Sequence, residues 1–299
     1  DRSPSRGLGD VYKRQASFDE QISLLKSRGL TISDDEQAKY ILSCINYYRF
    51  SGYLFGFRDK STGMYPQDLT FAQVKRIYDF DRRLTKTLLF ALEDIEETLK
   101  TRLSYTVTSC YPEDSLVYLN ASIYRNHNSF VEFQSLFFSA VKKNKGLPFV
   151  KHHIEKYGGN LPMWVAVELF TMGNLHAVYN NLISPLQKKI AKQYGTGPNQ
   201  LKNWIRNLTY TRNHLAHNMR IYDYDFARSP MQCKNHPFPC EKTNRIFDQV
   251  FIMCVMYSDH EEWTNYIVPE LSALFEEYSD VIQLQNIGFP ENWKDILKY

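Results

Sequence analysis

The segment IYDFDRRLTKTLLFALEDIEETLKTRLSY, residues 77–105, contains aliphatic side chains at steps of three and four residues. They are Leu84, Leu88, Leu92, Ile95, Leu99 and Leu103. This spacing matches the α-helical period, so these residues line one face of a helix whose other face is largely charged. We therefore predict a long amphipathic helix near residues 70–109 that buries this face in the core.

The helical period continues through the rest of the chain. Prolines at positions 148, 162, 185 and 198 stand at the start of apolar helical patterns, and the first turn of a helix tolerates proline best. No alternating pattern predicts a strand, and no internal repeat is present. We predict an all-α protein, a multi-helix bundle with additional N- and C-terminal helices. Further helices are predicted near residues 129–144, 147–157, 162–183, 185–194, 199–217, 243–258 and 263–280.

The composition is that of a globular protein: 299 residues, 43% hydrophobic and 23% charged. The five cysteines form no CxxC pair, which argues against a disulfide framework and favours a reducing, cytoplasmic location. Cys233, His236 and Cys240 have the side chains of metal ligands, but their spacing and two intervening prolines are unusual for zinc, so we predict no metal and no cofactor. The apolar runs are far shorter than the ~18 residues of a membrane span, so no membrane association is predicted.

Residues 1–15, DRSPSRGLGDVYKRQ, share no periodicity with the rest of the chain and contain no apolar signal-peptide region. We expect this leader to be extraneous to the fold, because it resembles translated sequencing-adapter sequence; a disordered basic arm is the alternative. The formal net charge of the chain is +3, and the leader alone carries four basic and two acidic side chains. A nucleic-acid surface must therefore arise from local clustering and not from bulk charge.

The chain has 33 acidic residues, yet none lies between Glu168 and Asp223. We call residues 169–222 the basic span. Its cations are Lys188, Lys189, Lys192, Lys202, Arg206, Arg212 and Arg220. We interpret the span as a surface that faces phosphate groups. The alternative is a helix pair covered by acidic neighbours, such as residues 241–280.

The segment TRNHLAHN, residues 211–218, places Arg212 and His217 in an R-x4-H pattern. A guanidinium binds phosphate oxygens and an imidazole exchanges a proton near neutral pH, so the pair suits phosphodiester cleavage. A five-residue step rotates a helix by roughly 140°, so the two side chains share a site only if the helix ends or widens, or if a second copy contributes. Most isolated matches to this pattern are surface residues. Asn213, the preceding apolar helix and the basic span together favour RNA as the substrate.

Four segments resemble the Abi-like branch of the HEPN superfamily, the AbiD/AbiF phage abortive-infection proteins. Residues 211–217 are similar to the RN-x3-H core of that superfamily of nucleases and nucleotide-binding helical domains. The segments are INYYRFSGYLFGFRD (45–59), residues 77–105, LPMWVAVELFTMGNLHAVYNNL (161–182) and residues 190–226. The resemblance implies a HEPN-type helical domain over residues 17–230. We predict that residues 231–299 form a helical extension packed on the same domain.

The resemblance implies metal-independent RNA cleavage, in which the ribose 2′-hydroxyl attacks the adjacent phosphorus. His217 would move protons, Arg212 would stabilise charge on the phosphorane oxygens, and Asn213 would orient one of them. DNA is not an expected substrate because it lacks the 2′-hydroxyl. HEPN proteins generally join two motifs across a dimer interface, so we expect a homodimer with the helices near 162–183 and 199–217 as its walls.

One departure from the family pattern lies directly after the motif. Asn218 stands where Abi-like members commonly have a second histidine, which leaves Arg212 and His217 intact. His214, inside the motif, is predicted to be a polar surface residue, with an auxiliary catalytic role as the alternative. Tyr222 is the other candidate auxiliary group.

Abi-like proteins are often encoded beside noncoding RNA genes, so the resemblance also implies a structured RNA partner that restrains the protein. The side chains predicted to contact RNA are Lys188, Lys189, Lys192, Lys202, Arg206, Arg220, Arg49 and Arg58. The aromatic residues of 45–57 are predicted to pack the core more than to stack on bases. An intact motif favours a ribonuclease toxin. A non-catalytic HEPN module that binds RNA or scaffolds a partner, and a target of nucleotidyl transfer, are the other hypotheses.

Glu93, Asp94, Glu96 and Glu97 form an acidic cluster within the long helix. Paired carboxylates can serve acid–base chemistry or bind a metal ion. We predict a solvated helix face instead, with a metal site or an internal pair between Glu96 and Arg102 as alternatives.

Overall fold

The computed structural model describes residues 16–232 and 242–298. In chain order the helices are α1 Phe18–Ser27, α2 Asp35–Cys44, α3 Tyr47–Leu54, α4 Phe71–Cys110, α5 His127–Asn144, α6 Pro148–Tyr157, α7 Met163–Ala166, α8 Met172–Asn181, α9 Ser184–Lys192, α10 Pro198–Ala216, α11 Ile246–Met256, α12 His260–Glu262, α13 Val268–Glu277 and α14 Trp293–Ile296. Among these residues β-pairing is limited to two isolated bridges, Thr31 with Thr70 and Tyr124 with Leu182. The all-α prediction is confirmed.

The chain divides into two compact units. Of the described residues, the first comprises 16–83 and 274–283, and the second comprises 84–232, 242–273 and 284–298. Helices α1 to α3 and the start of α4 belong to the first unit. The R-x4-H motif belongs to the second, which therefore contains the candidate site.

The predicted aliphatic face of α4 is buried, because Leu84, Leu88, Leu92, Ile95, Leu99 and Leu103 are each at most 1% exposed. Burying one such side chain contributes about 1.5–3 kcal/mol, so this face stabilises the packing of α4 in the core. At the start of the helix, the Gln73 N–H donates to the Thr70 hydroxyl at 3.1 Å and the Thr70 N–H donates to the Gln73 amide oxygen at 2.8 Å. This reciprocal cap fixes where α4 begins.

Only some of the aromatic side chains in and directly after α3 are buried in the core. Phe50 is fully buried and stacks on Phe71 at 4.5 Å, and Tyr53 donates to Asp81 at 2.6 Å. Core packing is confirmed for Phe50 and Tyr53, but it is wrong for Tyr48 and Phe55, which are 86% and 72% exposed. A helix this short turns one face inward, so aromatics at nearly every position cannot all be buried.

The helix predicted near 162–183 is interrupted. Phe170 has extended backbone angles (φ −94°, ψ 134°) and separates α7 and a short 3-10 turn from α8. Thr171 then begins α8, since its hydroxyl accepts from the Asn174 N–H while the Asn174 side chain accepts from Thr171. This capping box competes with continuation of the helix and explains the break.

Candidate active site

Helix α10 carries the R-x4-H motif and ends inside it. Its last helical residue is Ala216, and His217 is the capping residue, with φ −86° and ψ 10°. The helix therefore ends between Arg212 and His217, which is one of the conditions under which these side chains can share a site.

The backbone conformation of Asn218 allows α10 to end at this point. Its backbone is left-handed, with φ 51°. Its N–H donates to the Leu215 carbonyl at 2.8 Å, and the Met219 N–H donates to the His214 carbonyl at 3.0 Å. These two bonds form a Schellman cap, and asparagine enters the left-handed region more readily than most residues. Asn218 thus has a structural role in place of a second histidine.

Arg212 lies near the end of α10 with 38% of its side chain exposed. Its Nη1 donates to Asn213 Oδ1 at 3.3 Å, and its Nε lies 3.9 Å from a carboxylate oxygen of Glu96 on α4. Asn213 and His217 are exposed. The three residues predicted to be catalytic are therefore accessible to solvent at one helix end.

A cleft of about 620 Å³ opens beside Arg212, between α10 and α4. Its charged lining consists of Glu93, Glu96, Glu97, Lys100, Glu168 and Arg212. Within it Lys100 Nζ lies 3.8 Å from Glu96 and 3.9 Å from Glu168. Charges of opposite sign thus alternate from Arg212 through Glu96 and Lys100 to Glu168.

The prediction of a solvated acidic face is wrong for Glu96, whose side chain is 16% exposed. Arg212 and Lys100 lie against it and limit its access to solvent. The alternative pair of Glu96 with Arg102 is also wrong. Arg102 instead donates to the Gln193 carbonyl at 3.2 Å and lies 4.4 Å from the centre of the Tyr194 ring. The contact between Glu96 and Arg212 is the functional feature that sequence reasoning missed.

His214 is not the predicted surface residue, because only 6% of it is exposed. Its ring lies 4.5 Å from Tyr224 and 5.3 Å from Phe226, centre to centre. Its Nε2 lies 2.8 Å from the Arg220 carbonyl oxygen, which can only accept, so Nε2 carries the proton and donates. Burial lowers the pKa of His214, and the bond to Arg220 partly opposes this. Through this hydrogen bond, the His214 side chain links the loop after the motif to α10.

The chain after residue 242 also contacts this loop. Arg245 forms ion pairs with Asp223 and with Asp225, each at 3.0 Å. Tyr222 is 3% exposed, and its hydroxyl accepts a hydrogen bond from Asn286 at 2.9 Å. Tyr222 is therefore packed within this loop.

The residues predicted to bind RNA fall in both units. Arg49 and Arg58 belong to the first unit, and both are exposed. The other six belong to the second unit: Lys188, Lys189 and Lys192 lie on α9, Lys202 and Arg206 lie on α10, and Arg220 follows α10. Lys189 Nζ also donates to Cys110 Sγ at 3.1 Å.

The described residues contain no group of three or more histidine, cysteine or acidic side chains arranged to hold a metal ion. Cys233, His236 and Cys240 lie outside the described residues, as does the leader. Among the described helices, none has the length and apolar character needed to cross a bilayer.

The fold and the site define an all-α protein with a cation, an amide and an imidazole at the end of one helix. Residues 40–223 match the model of the family described as Abi-like protein, and this chain belongs to that family. Membership supports a role in abortive infection. Comparison with curated proteins and with solved structures finds no match.

Proposed function

We propose that this protein is a metal-independent endoribonuclease toxin of a phage-defence or toxin–antitoxin system. The observation that supports this most strongly is the end of α10, where the helix stops at Ala216, which lines the same cleft as Arg212, and the next residue, His217, is exposed. Membership of the Abi-like family is compatible with a nuclease.

In the proposed reaction the ribose 2′-hydroxyl loses its proton and attacks the adjacent phosphorus. The bond to the 5′-oxygen of the next nucleotide breaks, and that oxygen gains a proton. The products end in a 2′,3′-cyclic phosphate and a 5′-hydroxyl. Arg212 donates to the non-bridging oxygens, on which negative charge develops, and His217 exchanges the protons. Asn213 accepts from Arg212 through Oδ1 and has its amide donors available for the same phosphate.

Two chains together would complete this site. The reaction needs a base and an acid, whereas one motif supplies one exposed histidine, His217. Two large apolar side chains beside the motif are also accessible, since Tyr210 is 43% exposed and Met219 is 50% exposed. Symmetric pairing through this end of α10 would cover them and bring two copies of the motif together, and twofold dimers are the commonest oligomers.

The contact between Glu96 and Arg212 leaves the guanidinium able to bind a substrate phosphate. Their separation of 3.9 Å, with Arg212 38% exposed, makes this a weak, partly solvated ion pair. A phosphate carries a full charge and accepts two parallel hydrogen bonds from guanidinium, so it can bind the Nη groups of Arg212 while Glu96 stays beside Nε. Glu96 therefore holds Arg212 in the cleft without blocking its contact with the phosphate.

The basic span supports a second part of the proposal, a structured RNA that binds and restrains the protein. Its affinity should fall steeply with salt, because phosphate contacts release counterions. Purification from the native operon should yield the protein with this RNA. Recovery free of nucleic acid, with behaviour independent of salt, would contradict this part.

The test of the catalytic proposal is cleavage of single-stranded RNA in excess EDTA. His217→Ala and Arg212→Ala should each lower the rate by ~100-fold or more. His152→Ala, at an exposed histidine of α6, is the matched control and should cleave at the wild-type rate. A requirement for added divalent metal, or equal rates in all variants, would contradict the mechanism. RNA binding without cleavage would favour the non-catalytic alternative.

A further inference from the structure

The packing seam between α8 and α10 lies apart from the motif. The Thr209 hydroxyl donates to the Met172 carbonyl at 3.4 Å, and the Tyr179 hydroxyl donates to the Pro198 carbonyl at 3.1 Å. The start of α8 therefore contacts the end of α10, and the end of α8 contacts the start of α10. The two helices run antiparallel. His176 of α8 therefore lies opposite the middle of α10, between these two contacts.

His176 has a buried ring nitrogen, Nε2, without a hydrogen-bond partner among the residues that the structure describes. Burial lowers the pKa of His176, and the charges of Lys202 and Arg206 lower it further. In the neutral ring Nε2 can carry the N–H, which then needs an acceptor. Buried polar groups are rarely left unpaired, so the seam has the character of a site that a ligand completes.

Two of the three cations on α10, Lys202 and Arg206, also have no carboxylate partner among the described residues. Lys202 and Arg206 are four residues apart, and therefore neighbours on one helix face. Lys202 is partly exposed and Arg206 is exposed, so a ligand can reach both from solvent.

We propose that His176, Lys202 and Arg206 bind one phosphate group of an RNA strand. A phosphate offers several acceptor oxygens and a negative charge, which these donors and cations match. Arg206 precedes Arg212 by six residues, which is ~9 Å along the helix axis. The site thus anchors RNA apart from the cleavage chemistry. The hydrogen-bond donors and cations of the site indicate that its ligand is a phosphate group. The assignment of this phosphate to RNA rests on the proposed function.

The neighbouring helix favours a nucleic acid over a single acidic side chain. Lys188, Lys189 and Lys192 lie on α9, which is adjacent to α10 in the chain. A strand with repeated phosphates uses such an extended positive surface, and its affinity reflects the number of phosphates neutralised. An isolated carboxylate would contact the seam alone.

The test measures binding of the full chain to a 2′-O-methyl oligoribonucleotide, which the proposed reaction cannot cleave. Fluorescence anisotropy is recorded over a salt series at mildly alkaline pH. His176→Phe, Lys202→Gln and Arg206→Gln should each weaken binding by about tenfold. His176→Gln should stay close to wild type, because its amide nitrogen can replace Nε2. Lys86→Gln, at an exposed lysine of α4, is the matched charge control and should change the affinity little.

The salt series separates charge from hydrogen bonding. Lys202→Gln and Arg206→Gln should each reduce the slope of log affinity against log salt by about 0.7. His176→Phe should leave the slope unchanged, because the neutral ring donates a bond without a charge. In a double variant, Lys202→Gln should cost less when His176→Phe is already present. If His176→Phe does not fold, as judged by circular dichroism, His176→Ala takes its place in the cycle.

Binding equal to that of Lys86→Gln in all three variants, or additive losses in the cycle, would overturn the proposal. Inorganic phosphate and polyglutamate are titrated as competitors. Phosphate that shifts the His176 NMR signals while RNA affinity is insensitive to the variants would identify a free-anion site, and polyglutamate binding without RNA binding would identify an acidic protein partner. Either result overturns the assignment to RNA. Cleavage of unmodified RNA is measured in parallel, so intact binding without cleavage removes only the catalytic proposal.

Discussion

Arg212 depends on a partner that lies more than a hundred residues earlier in the chain. Glu96 on α4 is 3.9 Å from its Nε and only 16% exposed, so the carboxylate restricts where the guanidinium can lie. We regard Glu96 as a positioning residue for the proposed chemistry. It acts through Arg212 and holds the guanidinium at the mouth of the cleft before RNA arrives.

The first prediction concerns Glu96→Gln, which keeps the size of the side chain and removes its charge. The cleavage rate should fall about fivefold, since a partly exposed ion pair contributes up to about 1 kcal/mol. The loss should appear in kcat more than in KM, because the cost is misplacement of Arg212 in the transition state. Glu261→Gln, at an exposed position of α12, is the control and should cleave normally. An unchanged or faster rate in Glu96→Gln would remove the positioning role.

The second prediction concerns pH and His214. Burial lowers the pKa of this histidine from its ordinary value of 6.5, so the folded protein holds the ring neutral. Below that value the unfolded chain binds more protons than the folded chain. The contribution of His214 to stability is therefore present above about pH 6.5 and is lost as the pH falls.

The variant His214→Phe keeps an aromatic ring against Tyr224 and removes the titrating group. Its melting temperature should change less than that of the wild type between about pH 7.5 and about pH 5.5. Burial also lowers the pKa of His176 and His260, so part of the pH dependence should remain. At the higher pH the variant should melt a few degrees lower, because the Arg220 carbonyl loses its donor. An identical pH dependence in wild type and variant would contradict the role of His214.

The end of α10 is the element that places His217, and Asn218 sets it through its left-handed backbone. Asn218→Gly should keep both stability and cleavage, since glycine is the preferred residue at this position. Asn218→Val should lose about 1–2 kcal/mol, because a β-branched residue is strained there. It should also lose at least about tenfold in cleavage, since His217 is no longer held.

Gly158 provides the matched control for this cap. It ends α6 with φ 63°, and an added Cβ would meet nothing within 4 Å. Gly158→Val should therefore lose a similar free energy of unfolding while the cleavage rate is preserved. Equal losses of activity in Asn218→Val and Gly158→Val would show that the effect is one of general stability.

Helices of this protein could be predicted because the sequence patterns that indicate them lie within each helix. The aliphatic face of α4 follows from its period, and prolines mark the starts of α6, α9 and α10. The break before α8 was missed, although Thr171 and Asn174 form a recognisable capping pair. That pair competes with a strongly apolar segment, and periodicity alone does not decide which interaction wins.

Contacts between distant parts of the second unit could not be predicted in this way. Nothing in the sequence links Glu96 to Arg212, or Arg245 to Asp223. The burial of His214 was missed for the same reason, because its cover comes from the loop that folds back after the motif. Motif residues could be identified from their chemistry, whereas their partners depend on tertiary packing.

The whole-molecule prediction is complementation between chains. If two motifs form one site, a mixture of Arg212→Ala and His217→Ala proteins contains dimers with one intact arginine and one intact histidine across the interface. Such a mixture should cleave RNA faster than either variant alone, and the wild type should lose specific activity on dilution. A mixture no more active than the average of the two variants, with wild-type activity independent of concentration, would show that one chain suffices.

Analysis of the product ends decides whether the proposed chemistry occurs. An RNA with a single 2′-deoxynucleotide at its main cleavage position is incubated with the protein in excess EDTA beside the unmodified RNA, and the fragments are identified by mass spectrometry. We expect the unmodified RNA to yield 2′,3′-cyclic phosphate and 5′-hydroxyl ends, and the modified position to remain uncut, because it lacks the attacking hydroxyl. Equal cleavage at the 2′-deoxy position, or fragments that end in a 3′-hydroxyl and a 5′-phosphate, would contradict the mechanism.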